Sequence, residues 1–252
     1  MTAFLFLVIG LVVGSFLNVC IYRLPRKESL NWPGSHCTSC NRPLSWYENV
    51  PVVSWLWLRG RCRTCRASIS GVYPIVEAVT AVVFVVAFRL YGLTPLLAVR
   101  LLFACAMVVL FAIDLRHRIL PNVITVPGVV IGLLASVWLP PGWVSSLVGL
   151  ALGGGVLFVV GEGYYRLRGV EGMGMGDVKM LAMIGAFLGW PLMVLTLILA
   201  SVTGAIVGVV ILSSGRGGMK AALPFGTFLA VGALVSAVAG DGIVAWYLSF
   251  YR

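Results

Sequence analysis

Acidic residues are in short supply in this 252-residue chain. It holds eight of them against 18 Lys and Arg, and charged residues of both signs make up only 10% of the sequence. Soluble globular domains carry about 25% charged residues. With 60% hydrophobic residues as well, the chain has too little polar surface to enclose itself in water. A soluble enzyme, a nucleic-acid-binding domain and a disordered protein are excluded; an all-α polytopic membrane protein remains. The net charge of +10 then belongs to loops at a membrane rather than to a nucleic-acid footprint. Long polar runs are also lacking, and 25–70 is the only one. Chemistry that needs carboxylates must draw on Glu28, Glu48, Glu77, Asp114, Glu162, Glu171, Asp177 and Asp241.

What is abundant is apolar sequence. The first run, Phe4 to Tyr22, has no basic residue before it and Arg23, Arg26 and Lys27 after it. A cleaved signal peptide has the opposite arrangement and a small-residue cleavage site, so the run reads as a retained span over 1–24 with its N-terminus outside. Pro25, Pro33, Pro43 and Pro51 mark 25–70 as a small extramembrane domain. From Gly71 to the end, breaks at Gly92 and Pro95, at Pro140-Pro141-Gly142 and at Gly189-Trp190-Pro191 divide a multi-span domain, 71–252. At about 20 residues per span, its segments are 72–91, 95–114, 122–139, 144–165, 177–189, 191–212 and 222–239, giving about eight spans in all. The segment 177–189 is short, and reads as a half-helix or a tilted continuation into its neighbour. If 23–71 is cytoplasmic, every Lys and Arg except Arg89, Arg100 and Arg252 falls on the cytoplasmic side, and both termini lie outside.

Asp114 closes one apolar run and Asp177 opens another, with two complete spans between them. Both therefore lie at the cytoplasmic ends of their helices, at similar depth. Acids within membrane segments are costly and mark function. Two carboxyls at one depth can share a proton: the ionised one activates water, and the protonated one polarises a scissile carbonyl. Gly174 and Gly176, just before Asp177, leave room for a substrate backbone or a neighbouring helix. Each acid also has a plain reading, Asp114 as a helix-end acid near Arg116 and Arg118, and Asp177 as a helix N-cap. Their matched depth favours a catalytic pair. A transporter would place such acids nearer the bilayer midplane.

Cys20 and Cys105 stand singly in apolar runs and read as packing residues. The other cysteines form two C-x-x-C pairs, Cys37 with Cys40 and Cys62 with Cys65. Such pairs suit a closed, structural tetrahedral zinc site that folds the loop. Free thiols, a redox pair and an iron–sulfur site are the alternatives. His36 adjoins Cys37 and reads as a bystander. The arginines around the knuckle (Arg42, Arg59, Arg61, Arg63, Arg66) suit anionic lipid headgroups better than nucleic acid.

Taken in order, these residues resemble the type IV prepilin peptidase and N-methyltransferase family. The resemblance rests on Gly14-Ser15-Phe16-Leu17-Asn18-Val19 with Arg23-Leu24-Pro25, on the two cysteine pairs with Glu48-Asn49-Val50-Pro51 between them, and on Tyr73-Pro74-Ile75-Val76-Glu77. It continues through Ile113-Asp114-Leu115-Arg116 to Pro121-Asn122, through Glu171-Gly172-Met173-Gly174-Met175-Gly176-Asp177, and ends at Pro224-Phe225-Gly226. It implies Asp114 and Asp177 as the catalytic acids, prepilin or pseudopilin substrates with a short basic leader cut at the cytoplasmic face of a bacterial inner membrane, and S-adenosylmethionine as methyl donor to the new N-terminus. Two departures stand out: Thr227 follows Gly226 where the family often has proline, and Arg116 replaces a second acid. No Gly-rich strand-to-helix fingerprint for the methyl donor is present, and the loop, with Gly60 as its candidate ligand-approach residue, is its expected seat. Gly60 as a plain turn residue is the other reading. A peptidase alone, with the zinc loop as a docking module, is the alternative function; a non-enzymatic assembly factor or transporter is a third.

Overall fold

A computed structural model describes residues 1–169, 174–214 and 223–250. Glu171, Gly172 and Met173 of the last acidic motif, the counted cations Arg216, Lys220 and Arg252, and the first residue of the 222–239 segment lie outside the described residues.

The chain is all-helical, with no strand among the described residues beyond two isolated bridges. The helices are α1 (Thr2–Arg23), the short α2 (Val53–Trp57), α3 (Val72–Tyr91), α4 (Pro95–His117), α5 (Asn122–Ala135), α6 (Trp143–Arg168), α7 (Met175–Ser213) and α8 (Phe225–Ser249). Their ends follow local chemistry. Pro25 stops α1 one turn past its last apolar residue. Pro95 occupies the first position of α4, where its missing N–H costs nothing. Gly169 closes α6 in the left-handed conformation with a bond to Tyr165. Among the described residues six of these eight helices are long and apolar enough to cross a membrane, and α5 is a shorter apolar helix.

The chain divides into two compact units, Met1–Leu97 and Ala98–Arg252. In the first, α1 packs along α3. The contact is close because it is made at glycines: a Cβ at Gly10 would lie 2.6 Å from Ala81 Cα, and one at Gly14 2.7 Å from Glu77 Cα. Small residues of this kind let membrane helices gain dispersion contact without a hydrophobic driving force between them. Asn18 adds a polar tie by donating to the Tyr73 carbonyl at 3.0 Å.

In the second unit α7 packs against α5, α6 and α8 around a methionine-rich core of Met107, Met180, Met183 and Met193 with Phe103, Leu110 and Leu229. At 39 residues α7 would span about 58 Å if straight, twice the hydrocarbon thickness. It is two helices joined at Gly189, whose φ of 76° and ψ of 172° leave the helical region. Before Gly189 the chain runs antiparallel to α6, with Leu181 against Gly153, Gly185 against Gly149, and Gly189 against Pro141 and Ser145. After Gly189 it turns back, so that Leu197, Ser201 and Gly204 line one apolar cavity with Val156, Leu157 and Val160 of α6. The short 177–189 segment is thus a reversing limb, and the two limbs with the other six long or intermediate helices make eight apolar segments.

Candidate active site

Asp114 is three residues from the end of α4 and only 4% exposed. Its Oδ2 accepts two bonds from one residue, from the Thr227 N–H at 2.7 Å and the Thr227 hydroxyl at 3.0 Å. Thr227 is the third residue of α8, following Pro224, the N-cap, and Phe225. The first-turn N–H groups of a helix have no intrahelical acceptor and carry the positive end of its dipole. The Asp114 carboxyl fills that role from another helix, at 2.7 Å against 3.3 Å for the Pro224 carbonyl that shares the Thr227 N–H. The approach needs Gly226, because a Cβ there would sit 3.0 Å from Asp114 Oδ2 and 2.9 Å from Leu120 Cδ1.

Asp177 is the third residue of α7, with its N–H bonded to the Gly174 carbonyl at 3.0 Å. It is half-buried, and the charge of Asp114 acts on it. Gly176 serves a neighbour: a Cβ there would lie 3.0 Å from the Leu120 Cβ. Leu120, in the link between α4 and α5, therefore fills the space beside both Gly176 and Gly226, between the two acid-bearing helix starts. Arg118, in the left-handed conformation at φ 53°, brings its charge within reach of Asp114. Lys179 donates to Asn122 Oδ1 at 3.0 Å, which ties the first turns of α5 and α7. Asp114 and Asp177, far apart in sequence, thus stand in one electrostatic neighbourhood at the starts of α7 and α8.

The first unit carries a second cluster. The thiols of Cys37, Cys40, Cys62 and Cys65 all lie within 4.8 Å of one another, with Cys37 Sγ and Cys65 Sγ 3.8 Å apart. Sulfurs of a tetrahedral zinc site, each about 2.3 Å from the ion, stand about 3.8 Å apart. The donor set fits zinc. The two halves are built alike. Cys37 N–H donates to the Arg42 carbonyl and Cys62 N–H to that of Ala67, both at 2.9 Å; Asn41 bonds back to Cys37 and Arg66 to Cys62. Leu44 closes on Ser35 as Ile69 closes on Gly60. Asn41 and Arg66, at matching positions, both have positive φ. Each half is thus one knuckle turn with its N–H groups aimed at sulfur. Those of Cys65 and Thr64 hold the Cys62 thiol down to about 6, and those of Cys40 and Ser39 lower the Cys37 thiol. A metal ligand must be a thiolate, and these backbones favour that form at Cys62 and Cys37, while burial and the neighbouring thiols push Cys65 up to about 11.

Gly60 is buried at φ 66°, and a Cβ there would lie 2.9 Å from the Trp55 ring. It matches Ser35 of the first knuckle. Arg23, read from sequence as a cation following the first span and as part of the Arg23-Leu24-Pro25 motif, is buried and donates to the Ser29, Leu30, Pro33 and Gly34 carbonyls. Glu77, buried in α3, accepts from the Val52 N–H at 2.7 Å and so ties the middle of the loop to α3.

The bacterial peptidase A24 N-terminal domain matches residues 8–91, and the type IV leader peptidase family matches residues 101–209. A prepilin leader peptidase/N-methyltransferase of Aeromonas salmonicida is 38% identical over 272 residues, covering 95% of this chain and 91% of that protein. The chain belongs to the type IV leader peptidase family. A relative of the same name from Pseudomonas putida is 37% identical over 94% of this chain and 91% of its own length. One from Myxococcus xanthus is 42% identical over 86% of this chain and 65% of its own. No solved structure gives a significant match. The A24 N-terminal match holds all four clustered cysteines, and the leader peptidase match holds both aspartates. Thr227 lies beyond either match. From sequence it stands out only as a departure at the start of an apolar run, and its two bonds to Asp114 are visible only once α4 and α8 are packed.

Proposed function

We propose that this chain is a multi-pass inner-membrane aspartic endopeptidase of a bacterium that removes the leader from prepilins or pseudopilins and then methylates the new N-terminus. The observation that carries the reading is the pairing of Asp114, bonded to the first turn of α8, with Asp177, in the first turn of α7, near enough for the charge of one to act on the other. In the proposed hydrolysis one carboxylate takes a proton from water as the water attacks the scissile carbonyl. The other carboxylic acid hydrogen-bonds the carbonyl oxygen as charge develops there. Collapse of the tetrahedral intermediate breaks the C–N bond and delivers a proton to the leaving amine. The site faces the cytoplasm and both termini lie outside; the support is the distribution of Lys and Arg between loops.

The four cysteines hold structural zinc in this reading, and the metal's part is to order the loop. S-adenosylmethionine is the proposed methyl donor and the loop its seat, on family grounds. Among the described residues of the loop no side-chain constellation is set apart for it, so no step of methyl transfer is derived. Gly60, packed against Trp55, serves a turn. A peptidase without methyl transfer, its loop a docking module, is the competing reading.

Mass spectrometry of a co-expressed prepilin tests these points together. Wild type yields leaderless pilin with one added methyl. Asp114→Asn and Asp177→Asn each leave the leader on while the protein still accumulates in the membrane. Near-normal cleavage by either variant rejects the paired acids, and cleaved but unmethylated pilin from wild type supports the peptidase-only reading.

A further inference from the structure

We infer that Thr227 is a positioning residue that keeps Asp114 the ionised member of the pair, so that Asp114 is the general base and Asp177 the proton donor. This rests on the peptidase reading above and divides its two roles.

The argument is one of lone pairs. Both donors of Thr227 converge on the same oxygen, Asp114 Oδ2, at 2.7 and 3.0 Å. A carboxyl oxygen that accepts two hydrogen bonds has no in-plane lone pair left for a proton, and donors of this kind stabilise the charged form. The contact is sealed, because Asp114 and Thr227 are 4% and 7% exposed. Water therefore does not replace a lost donor cheaply. The donating N–H is also a first-turn amide of α8, where an anion is favoured. In this division of roles Asp114 Oδ1, which accepts no bond from Thr227, is the atom that takes the proton from water.

Among the described residues Asp177 has no such pair of donors; the hydrogen bond to its carboxyl comes from the Gly174 backbone of its own turn. Two neighbouring carboxylates do not both stay ionised, since like charges at short range repel. The proton then rests on the less satisfied member, Asp177. The other charges facing Asp114 do not reverse this. Arg118 favours an ionised Asp114. Lys179, two residues from Asp177, is engaged with Asn122. α8 presents Thr227 and no charge in its first turn.

Threonine matters here in both of its parts. A proline at this position would have no N–H, a valine no hydroxyl. Serine retains both donors, so it separates hydrogen bonding from shape.

The test is the pH dependence of kcat/KM for prepilin cleavage by purified enzyme in detergent. For Thr227→Val the acidic limb, which reports the base, moves to higher pH by about one unit, the size expected when a carboxylate loses one of two donors. The sign follows from the mechanism: with one donor gone the base takes up its proton more readily, and activity is lost sooner as pH falls. The alkaline limb, which reports the acid, stays in place. Thr227→Ser restores the wild-type profile. If Thr227→Val does not accumulate, Thr227→Ala removes the same hydroxyl and carries the same expectation. A shift of the alkaline limb with the acidic limb fixed assigns the base to Asp177 and overturns the inference. A uniform drop in rate with neither limb moved makes Thr227 a packing residue and overturns it too. Failure of the peptidase reading is separate: it appears as cleavage that survives Asp114→Asn or Asp177→Asn, whatever Thr227 does.

Discussion

Glu48 lies between the two cysteine pairs, and its side chain holds the stretch from Arg42 to Glu48 together, just after the first pair. Its carboxylate accepts two bonds from Arg42 at 2.6 and 2.9 Å and one from the Ser45 N–H at 2.9 Å. It is buried, at 7% exposure. The Arg42 guanidinium, then the Ser45 amide, hold it below the usual glutamate range. A depressed carboxyl contributes stability above its unfolded value, about 4.3, and loses it as pH falls through the lower folded value. Glu48→Gln is therefore expected to weaken the loop at neutral pH by roughly 1–3 kcal/mol, seen as faster proteolytic cutting within 25–70. The gap between variant and wild type closes below about pH 4. Equal cutting rates at neutral pH would count against the anchor. A second test concerns Gly226. Alanine there places a methyl 3.0 Å from Asp114 Oδ2, and leader cleavage is expected to fall at least about tenfold, a barrier rise of about 1.4 kcal/mol, with membrane accumulation kept. At this scale the sequence was legible where rarity did the pointing. Few acids made Asp114 and Asp177 conspicuous, and C-x-x-C spacing did the same for the cysteines. Thr227, Leu120 and Glu77 act through partners on other elements, and no local pattern marks such contacts.

Among the helices, 72–91 was read to the residue, because a membrane segment must satisfy its backbone internally and only a helix does so, whereas α5 ends four residues before the expected 139 and α8 runs ten residues past the expected 239. The larger departure was 175–213. Gly-Trp-Pro signals a break, but a break does not say whether the chain continues onward or turns back. That depends on Gly189 meeting Pro141 and Ser145, contacts set by the packing of α6. A side chain at Gly189 would be doubly penalised, by its positive φ and by collision with the Ser145 hydroxyl. Gly189→Ala is expected to cost roughly 1–3 kcal/mol from backbone strain alone. The readout is a lower thermal midpoint in detergent and less protein in the membrane. An unchanged midpoint would mean that the reversal tolerates a side chain.

On the scale of the molecule, the two units stand on different physics. The second unit's helices carry their own hydrogen bonds and share a methionine-rich core. The loop of the first has two knuckle turns and little core of its own. Metal supplies what such a segment lacks. Chelation of purified protein is expected to release one zinc per chain and open 25–70 to protease while the helical circular dichroism is retained. Cys62→Ser should do the same without chelator. Metal content near zero in freshly purified protein, with all four thiols alkylated under native conditions, would reject the site.

The brevity of α5 has a consequence for the lipid around it. Its 14 residues reach about 21 Å, against a hydrocarbon core of about 30 Å. Val123, Val126, Val130 and Leu134 are exposed along it, so this short face meets acyl chains directly. Lipid beside it must compress or tilt, a mismatch that costs fractions of a kcal/mol per Å. Asn122 at its first turn is tied to Lys179, two residues from Asp177. Cleavage in reconstituted vesicles is therefore expected to run faster in short-chain than in long-chain phosphatidylcholine of matched fluidity, because the mismatch at α5 lies one hydrogen bond from the Asp177 helix; a rate indifferent to chain length would mean that the acid's position does not depend on bilayer thickness.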